Sequence, residues 1–276
     1  MKRLFVAIGV AFSLFSLVLP QVASSRSLGV QPLIVEVAPG QSAAVRVRNS
    51  SDQPMTVETS ISERQIDANG VQARVEADDS FIVFPPQATI PALGTQVFRV
   101  QPLDSDLTMS KSYFMTVGQV PVEFTPTEAR EVGAQLQVLF AFDVAIHVVP
   151  RGAKPKLELV SSQLGQMTLT IARTAAELAS SEPLPPSQTK TVPAAVIAIR
   201  NDGNRYLYLQ DYEFALSGLL SDGTTVSFPD LTQKQIIEAA GVTLVAPNGS
   251  RTFSLPLPEG AAVTSVSVQV RERSGS

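Results

Sequence analysis

The chain contains no cysteine and no tryptophan, and its only histidine is His147. Without cysteine there is neither a disulfide framework nor a thiol nucleophile, so stability must come from a buried core. Clusters of His and Cys for a metal are excluded by count, and a Ser-His-Asp arrangement would have to recruit His147 itself. Glycine-rich phosphate loops and dinucleotide fingerprints are missing as well, so no catalytic residue, metal or cofactor is expected. The net charge is −4, and more negative without Lys2 and Arg3, which argues against a nucleic-acid partner.

Long apolar runs are also scarce. One stands at the N-terminus, Leu4 to Leu19, preceded by Lys2 and Arg3 and followed by the small residues Val22-Ala23-Ser24. This is the pattern of a cleavable export signal over residues 1–24. It is short for a membrane span, and no later run is long enough, so a soluble exported chain without stable membrane insertion is expected. Two weak chemical signals have plainer readings. Asp67-Ala-Asn-Gly70 lacks the later ligands of a calcium loop and reads as a hairpin turn, and Asp78-Asp79 reads as a solvated loop pair.

What the chain does have is alternation, with 44% hydrophobic residues overall. In Leu136-Gln-Val-Leu-Phe-Ala-Phe-Asp-Val-Ala-Ile146, every even position is large and apolar. A strand of that pattern carries one unbroken apolar row, about 37 Å long at about 3.4 Å per residue. Shorter alternating segments include Met55–Val57, Phe98–Val100, Tyr113–Val117, Met167–Ile171 and Val263–Val270. Short strands separated by turn residues predict antiparallel β-sandwiches. One short helix is predicted over Leu231–Ala240. A turn is allowed at Glu128–Gly133, and Ser180–Thr191, with three prolines, reads as an exposed loop.

Local patterns repeat. Ala38-Pro-Gly, Ala92-Leu-Gly and Ala246-Pro-Asn-Gly each lead into a strand, with the glycine able to take positive φ. Val45-Arg-Val-Arg-Asn49 and Ala198-Ile-Arg-Asn201 both end a strand in an Asn-led turn. These echoes predict two domains of one sandwich type, residues 25–150 and 151–276, divided near Pro150-Arg-Gly-Ala-Lys-Pro155. His147 falls on the odd face beside Pro150 and reads as a partly exposed structural residue.

The ordered set of landmarks resembles the periplasmic pilus-assembly chaperones of the chaperone–usher pathway. In the first half these are Val30-Gln-Pro32, Val45–Asn49, Phe84-Pro-Pro86, Gly94–Val100, Tyr113–Val117 with Val120-Pro121, and the long strand closing on Pro150. In the second half, Arg200–Gly203, Val245-Ala-Pro247 and Gly249–Phe253 fit. The resemblance implies a boomerang of two immunoglobulin-like β-sandwich domains, active in the periplasm on pilus or fimbrial subunits and an outer-membrane usher. It also implies donor-strand complementation, in which a strand of the chaperone completes the subunit's own sandwich. Leu136, Val138, Phe140 and Phe142 would be the subunit-binding residues, with the half from Phe142 to Ile146 packing into the chain's own first domain.

The sequence departs from that family in one respect. The cleft Arg and Lys that hold a subunit's C-terminal carboxylate in well-known members correspond here to Leu33 or Ile34 and to Ala145. Arg99 matches another family position and is a candidate anchor, set against a plainer reading as a strand arginine paired within its domain. Such departures suggest a divergent branch similar to archaic or alternative systems. A second functional class is an exported β-sandwich structural or adhesive fibre component, disfavoured by the short polar terminus Ser25-Arg-Ser-Leu-Gly29. A hydrolase is third.

Overall fold

The structure is a computed structural model and describes residues 28–121, 139–171, 173, 186–258 and 260–273. The predicted export signal and the turn at Glu128–Gly133 lie outside these residues.

The alternating segments form strands. In chain order the first half contributes β1 (Leu28–Gln31), β2 (Ile34–Val37), β3 (Ala43–Asn49), β4 (Met55–Ile66) and β5 (Gln72–Glu76). It continues with β6 (Phe81–Phe84), β7 (Gln87–Ile90), β8 (Thr95–Pro102), β9 (Lys111–Gln119) and β10 (Ala141–Val148). The second half holds β11 (Leu157–Thr170), β12 (Thr189–Asn201), β13 (Leu207–Tyr208) and β14 (Tyr212–Leu220). After β15 (Thr225–Ser227) come the helix α1 (Gln233–Ala240), β16 (Leu244–Val245), β17 (Ser250–Pro256) and β18 (Val263–Glu272).

In the first half, a sheet of order β1-β3-β8-β6 faces one of order β2-β10-β9-β4-β5, with β7 on β4. All pairs are antiparallel except β2 with β10. Side chains alternate across each sheet, and the inward rows, among them Val45, Phe98, Met115, Val144 and Ile146, form one core with no exposed surface. A second core gathers Ile197, Phe214, Leu255, Val266 and Ile236 from β12, β14, β17, β18 and α1, with Leu209 from the turn between β13 and β14. The chain is therefore all-β with two sandwich cores, as its alternation predicts. The helix is also where it was expected. Thr232 and Gln235 form a reciprocal capping box at its start.

The Asn echo is a true structural repeat. Asn49 Nδ2 donates to the carbonyls of Gln53, Ile90 and Pro91, while its Oδ1 accepts from Ser51 N and Oγ. Asn201 does the same in the second half, donating to Arg205, Val245 and Ala246 and accepting from Gly203 N and Lys156 N. Each fully buried amide stitches a strand end to two loops, which no apolar side chain could do.

Four expectations need correction. The described part of the apolar row is not all strand. Leu139 and Phe140 precede β10, which runs on to Val148, because pairing with β9 begins at Ala141 and Gly118. Thr189–Thr191 open β12 instead of closing a loop, since they pair with Thr168–Thr170. In two of the three recurring turns the residue before glycine takes the positive φ, Leu93 and Asn248 at 57° each. Gly94 and Gly249 are needed there because a Cβ would press on the carbonyls of Pro91 and Ala246. Finally, His147 is fully buried.

Candidate functional site

β10 lies between β2 and β9, but β2 covers only its second half. The parallel pairing runs from Ala145 opposite Ile34 to Val148 opposite Val37. Before Ala145, β10 is bonded to β9 alone among the described residues. Ala145 donates its N–H to Leu33 O on the β2 side. The two-residue period turns the N–H groups of Asp143 and Ala141 the same way, past the end of β2. Among the described residues, Ala141–Val144 therefore present an open strand edge.

The side chains along that edge are mixed in exposure. Phe140 and Phe142 are half-buried and pack on the first core, Val144 and Ile146 are inside it, and Leu139 is 45% exposed. The expectation that the row's second half packs into its own core holds for these residues. Leu136 and Val138 lie outside the described residues.

The other face of β10 carries Ala141, Asp143, Ala145 and His147. Ala145 sits in register with Ile34 on one side and Phe114 on the other. Leu33 and Ile34 are 54% and 62% exposed, so this floor is apolar and carries no cation of its own. The cations stand two and three strands from β10, Arg64 on β4 and Arg74 on β5. The guanidinium groups of Arg74 and Arg64 lie 4.4 and 5.0 Å from the centre of the Phe114 ring. Arg74 grips Asp143 with both nitrogens, at 2.6 and 3.0 Å, and Thr116 Oγ1 donates to the same carboxylate at 2.7 Å. The Arg74 hydrogen bond holds the Asp143 carboxyl below its usual range.

At its far end β10 is fastened to the second half of the chain. His147 Nδ1 shares a 2.8 Å hydrogen bond with Ser112 Oγ, and Nε2 shares one of 2.9 Å with the Tyr208 hydroxyl. The Tyr206 ring lies tilted over the imidazole, 4.3 Å between centroids. Tyr206 OH and Arg205 Nη2 both donate to Glu36 Oε2 on β2, at 2.8 and 2.7 Å. Burial, with Arg64 and Arg205 nearby, pushes the His147 pKa down to about 4. Burial first, and then the bond to Glu36, pushes the Tyr206 phenol up. Arg99 belongs to the opposite sheet, exposed on β8 between Ala44 and Phe84. It is not brought together with Phe140 and Phe142, and it makes no hydrogen bond or ion pair among the described residues.

The hairpin of β4 and β5 makes a second bridge. Asp67 Oδ1 accepts from Asn69 N and Val71 N, closing the predicted turn. Its tip reaches β17, where Thr252 N donates to Ala68 O at 2.7 Å. Buried Arg251 fills the space beside Gly70 and donates to Ala240 O at the end of α1.

Sequence reasoning missed Arg64, Arg74, Phe114, Glu36, Tyr206 and Tyr208. The lone histidine and the Tyr206-x-Tyr208 pair just past the second Asn turn were the available signals.

A sequence profile of pili and flagellar-assembly chaperones, PapD N-terminal domain, matches residues 30–154. No curated protein matches the chain. Among solved structures, it is similar to the class 5 fimbriae chaperone CfaA at 14% identity. That match covers 90% of this chain and all of the other, with a TM-score of 0.50. A chain from a chaperone–tip adhesin complex of CFA/I fimbriae biogenesis matches at 12% identity, 89% and 98% coverage and a TM-score of 0.50. The Escherichia coli chaperone DraB is 16% identical over 90% of this chain and 96% of its own, with a TM-score of 0.48.

Proposed function

The chain carries, over residues 30–154, the N-terminal domain of the pili and flagellar-assembly chaperone family, and on that premise we propose that it lends the start of β10 to a pilus or fimbrial subunit. The subunit is held in this way in the periplasm and handed to an outer-membrane usher. The observation that supports strand lending is the open edge at Ala141–Val144, beyond the reach of β2. An edge of that kind is an aggregation hazard unless a partner covers it. A subunit strand laid there would take up the N–H groups of Ala141 and Asp143. Leu136, Val138, Phe140 and Phe142 would supply the side chains for the subunit's groove. Each large one buried contributes roughly 1.5–3 kcal/mol before ordering costs. The apolar floor of Ile34, Ala145 and Phe114 lies beside this edge and carries no catalytic group.

The test is co-expression with an exported pilin-like subunit from the same organism. The wild type is expected to purify as a one-to-one complex in which the amides of Ala141 and Asp143 are protected from hydrogen exchange. Val138→Asp with Phe140→Asp should remove the complex while leaving the melting transition cooperative. A complex that persists in the double variant, with Ala141 and Asp143 still exchanging freely, would overturn strand lending.

A further inference from the structure

Beside the Tyr206–Tyr208 segment opens a cavity of about 580 Å³, walled by the second sandwich and the linker Ala153–Pro155, with no residue of the first sandwich. The two-residue period shows what is unusual in that wall. On β18, Val266, Val268 and Val270 lie opposite Gly218, Leu216 and Phe214 and form the core-facing row. The next position of the row is Glu272, opposite Tyr212 on β14. A carboxylate and a phenol thus end two rows that are otherwise apolar, and both line the cavity. Asp211, just before β14, adds a second carboxylate to the same wall.

The polar groups here are unevenly satisfied. Tyr206 and Tyr208 have committed their hydroxyls to Glu36 and His147. Tyr212 is only 8% exposed, yet its hydroxyl has no hydrogen-bond partner among the described residues. Neither Asp211 nor Glu272 pairs with a cation within 4 Å among those residues. Arg205, the guanidinium on this wall, is taken by Glu36, and Arg271 and Arg273, on either side of Glu272, turn to Glu213. Lys154 is exposed and pairs with neither carboxylate. Burial, and then the charge of Glu272, raises the Asp211 carboxyl. Burial, and then Glu272 and Asp211, raises the Tyr212 phenol.

We propose that this cavity binds an organic monocation of the primary-ammonium or guanidinium class, its N–H groups shared among Glu272, Asp211 and the Tyr212 hydroxyl. Such a cation brings donors and no acceptor, and the two carboxylates and the phenol oxygen supply acceptors in return. The tyrosine rings give the alkyl stem an apolar wall, and the volume suits a single side chain or a short amine. A basic side chain of a bound polypeptide and a small free amine share this chemistry. The site stands apart from strand lending, since no residue of β10 lines the cavity.

The free chain reports on this site directly. It has no tryptophan, and three of its four tyrosines line the cavity. The purified protein is titrated at constant ionic strength with N-acetyl-lysine amide, with n-butylamine, and with N-acetyl-norleucine amide, which keeps the stem and lacks the ammonium. Tyrosine fluorescence and the melting temperature are followed. At least one of the two ammonium compounds is expected to change the fluorescence and raise the melting temperature by about 2–4 °C at roughly tenfold excess over its Kd, while the norleucine compound does neither. A response to the lysine compound at least as strong as that to n-butylamine assigns the cavity to a polypeptide side chain. A stronger response to n-butylamine assigns it to free amines. Glu272→Gln and Tyr212→Phe, each checked for a cooperative melting transition, should weaken binding at least fivefold. Glu76→Gln, the same charge change at the end of β5, should leave it intact. No response to either ammonium compound, an equal response to the norleucine compound, or equal binding by Glu272→Gln and Glu76→Gln would overturn the proposal.

Discussion

The imidazole of His147 and the hydroxyl of Tyr208 meet at 2.9 Å between the two sandwiches, 61 residues apart in sequence. With Ser112 on the other ring nitrogen, the histidine is held as a neutral group. The same strand that opens its edge at Ala141–Val144 is thus fixed to the second half of the chain three residues later.

That arrangement makes stability depend on pH. His147 titrates near 4 when folded and near 6.5 when unfolded, so between these values the unfolded chain binds the extra proton. Stability is fully present above about 6.5 and declines as pH falls toward 4, by about 3 kcal/mol at most. The difference in unfolding midpoint between wild type and His147→Gln should shrink over that window. A constant difference between pH 7 and pH 4 would show that His147 is not the titrating group.

The two Asn-led turns should be equally intolerant of change. Asn49→Ala or Asn201→Ala strands several buried backbone groups, and each is expected to cost about 2–4 kcal/mol. Asn→Asp keeps the acceptor but loses the donor, and should recover little. Denaturant titration of each variant measures this, and a cost below 1 kcal/mol at either site would be inconsistent with the repeat being structural.

Gly70 holds φ at 82° with Arg251 directly over the place a Cβ would occupy. Gly70→Val should lower stability by about 2 kcal/mol or more and release the hairpin tip from Thr252. Small-angle scattering should then report a wider spread of domain separations. An unchanged scattering profile in a folded variant would mean that the hairpin does not brace the two halves.

Asp143→Ala should behave differently. The Arg74–Asp143 pair is bidentate but a third or more exposed, so its removal should cost only about 0.5–1 kcal/mol, and less at high salt. A fall beyond 2 kcal/mol in the urea-derived stability would show that the pair does more than bridge β5 and β10.

Much of the fold is legible in the sequence because both sandwiches obey a period of two and announce their turns with Asn, Gly and Pro. The helix at Gln233–Ala240 falls within the predicted segment Leu231–Ala240. The misplacement of His147 has a simple origin. Periodicity identifies the outward face of a strand, and Asp143 and Ala145 mark that face as solvent-facing. Whether a second domain then covers it is set by chain segments 60 residues away. Arg64 escaped notice for the same reason, since on β4 it is one polar residue among many. Only the fold brings it to Phe114 and Tyr208.

The reach of the β4–β5 hairpin to Thr252 limits how freely the halves of this chain can be exchanged. Each residue pair removed from the hairpin shortens it by roughly 3.3 Å, more than a hydrogen bond can stretch. A chimera joining residues 28–150 to the second half of another protein of this fold would arrive with an unmated tip unless Arg251 and Thr252 came with it. The two halves are modular in topology but keyed to one another as parts.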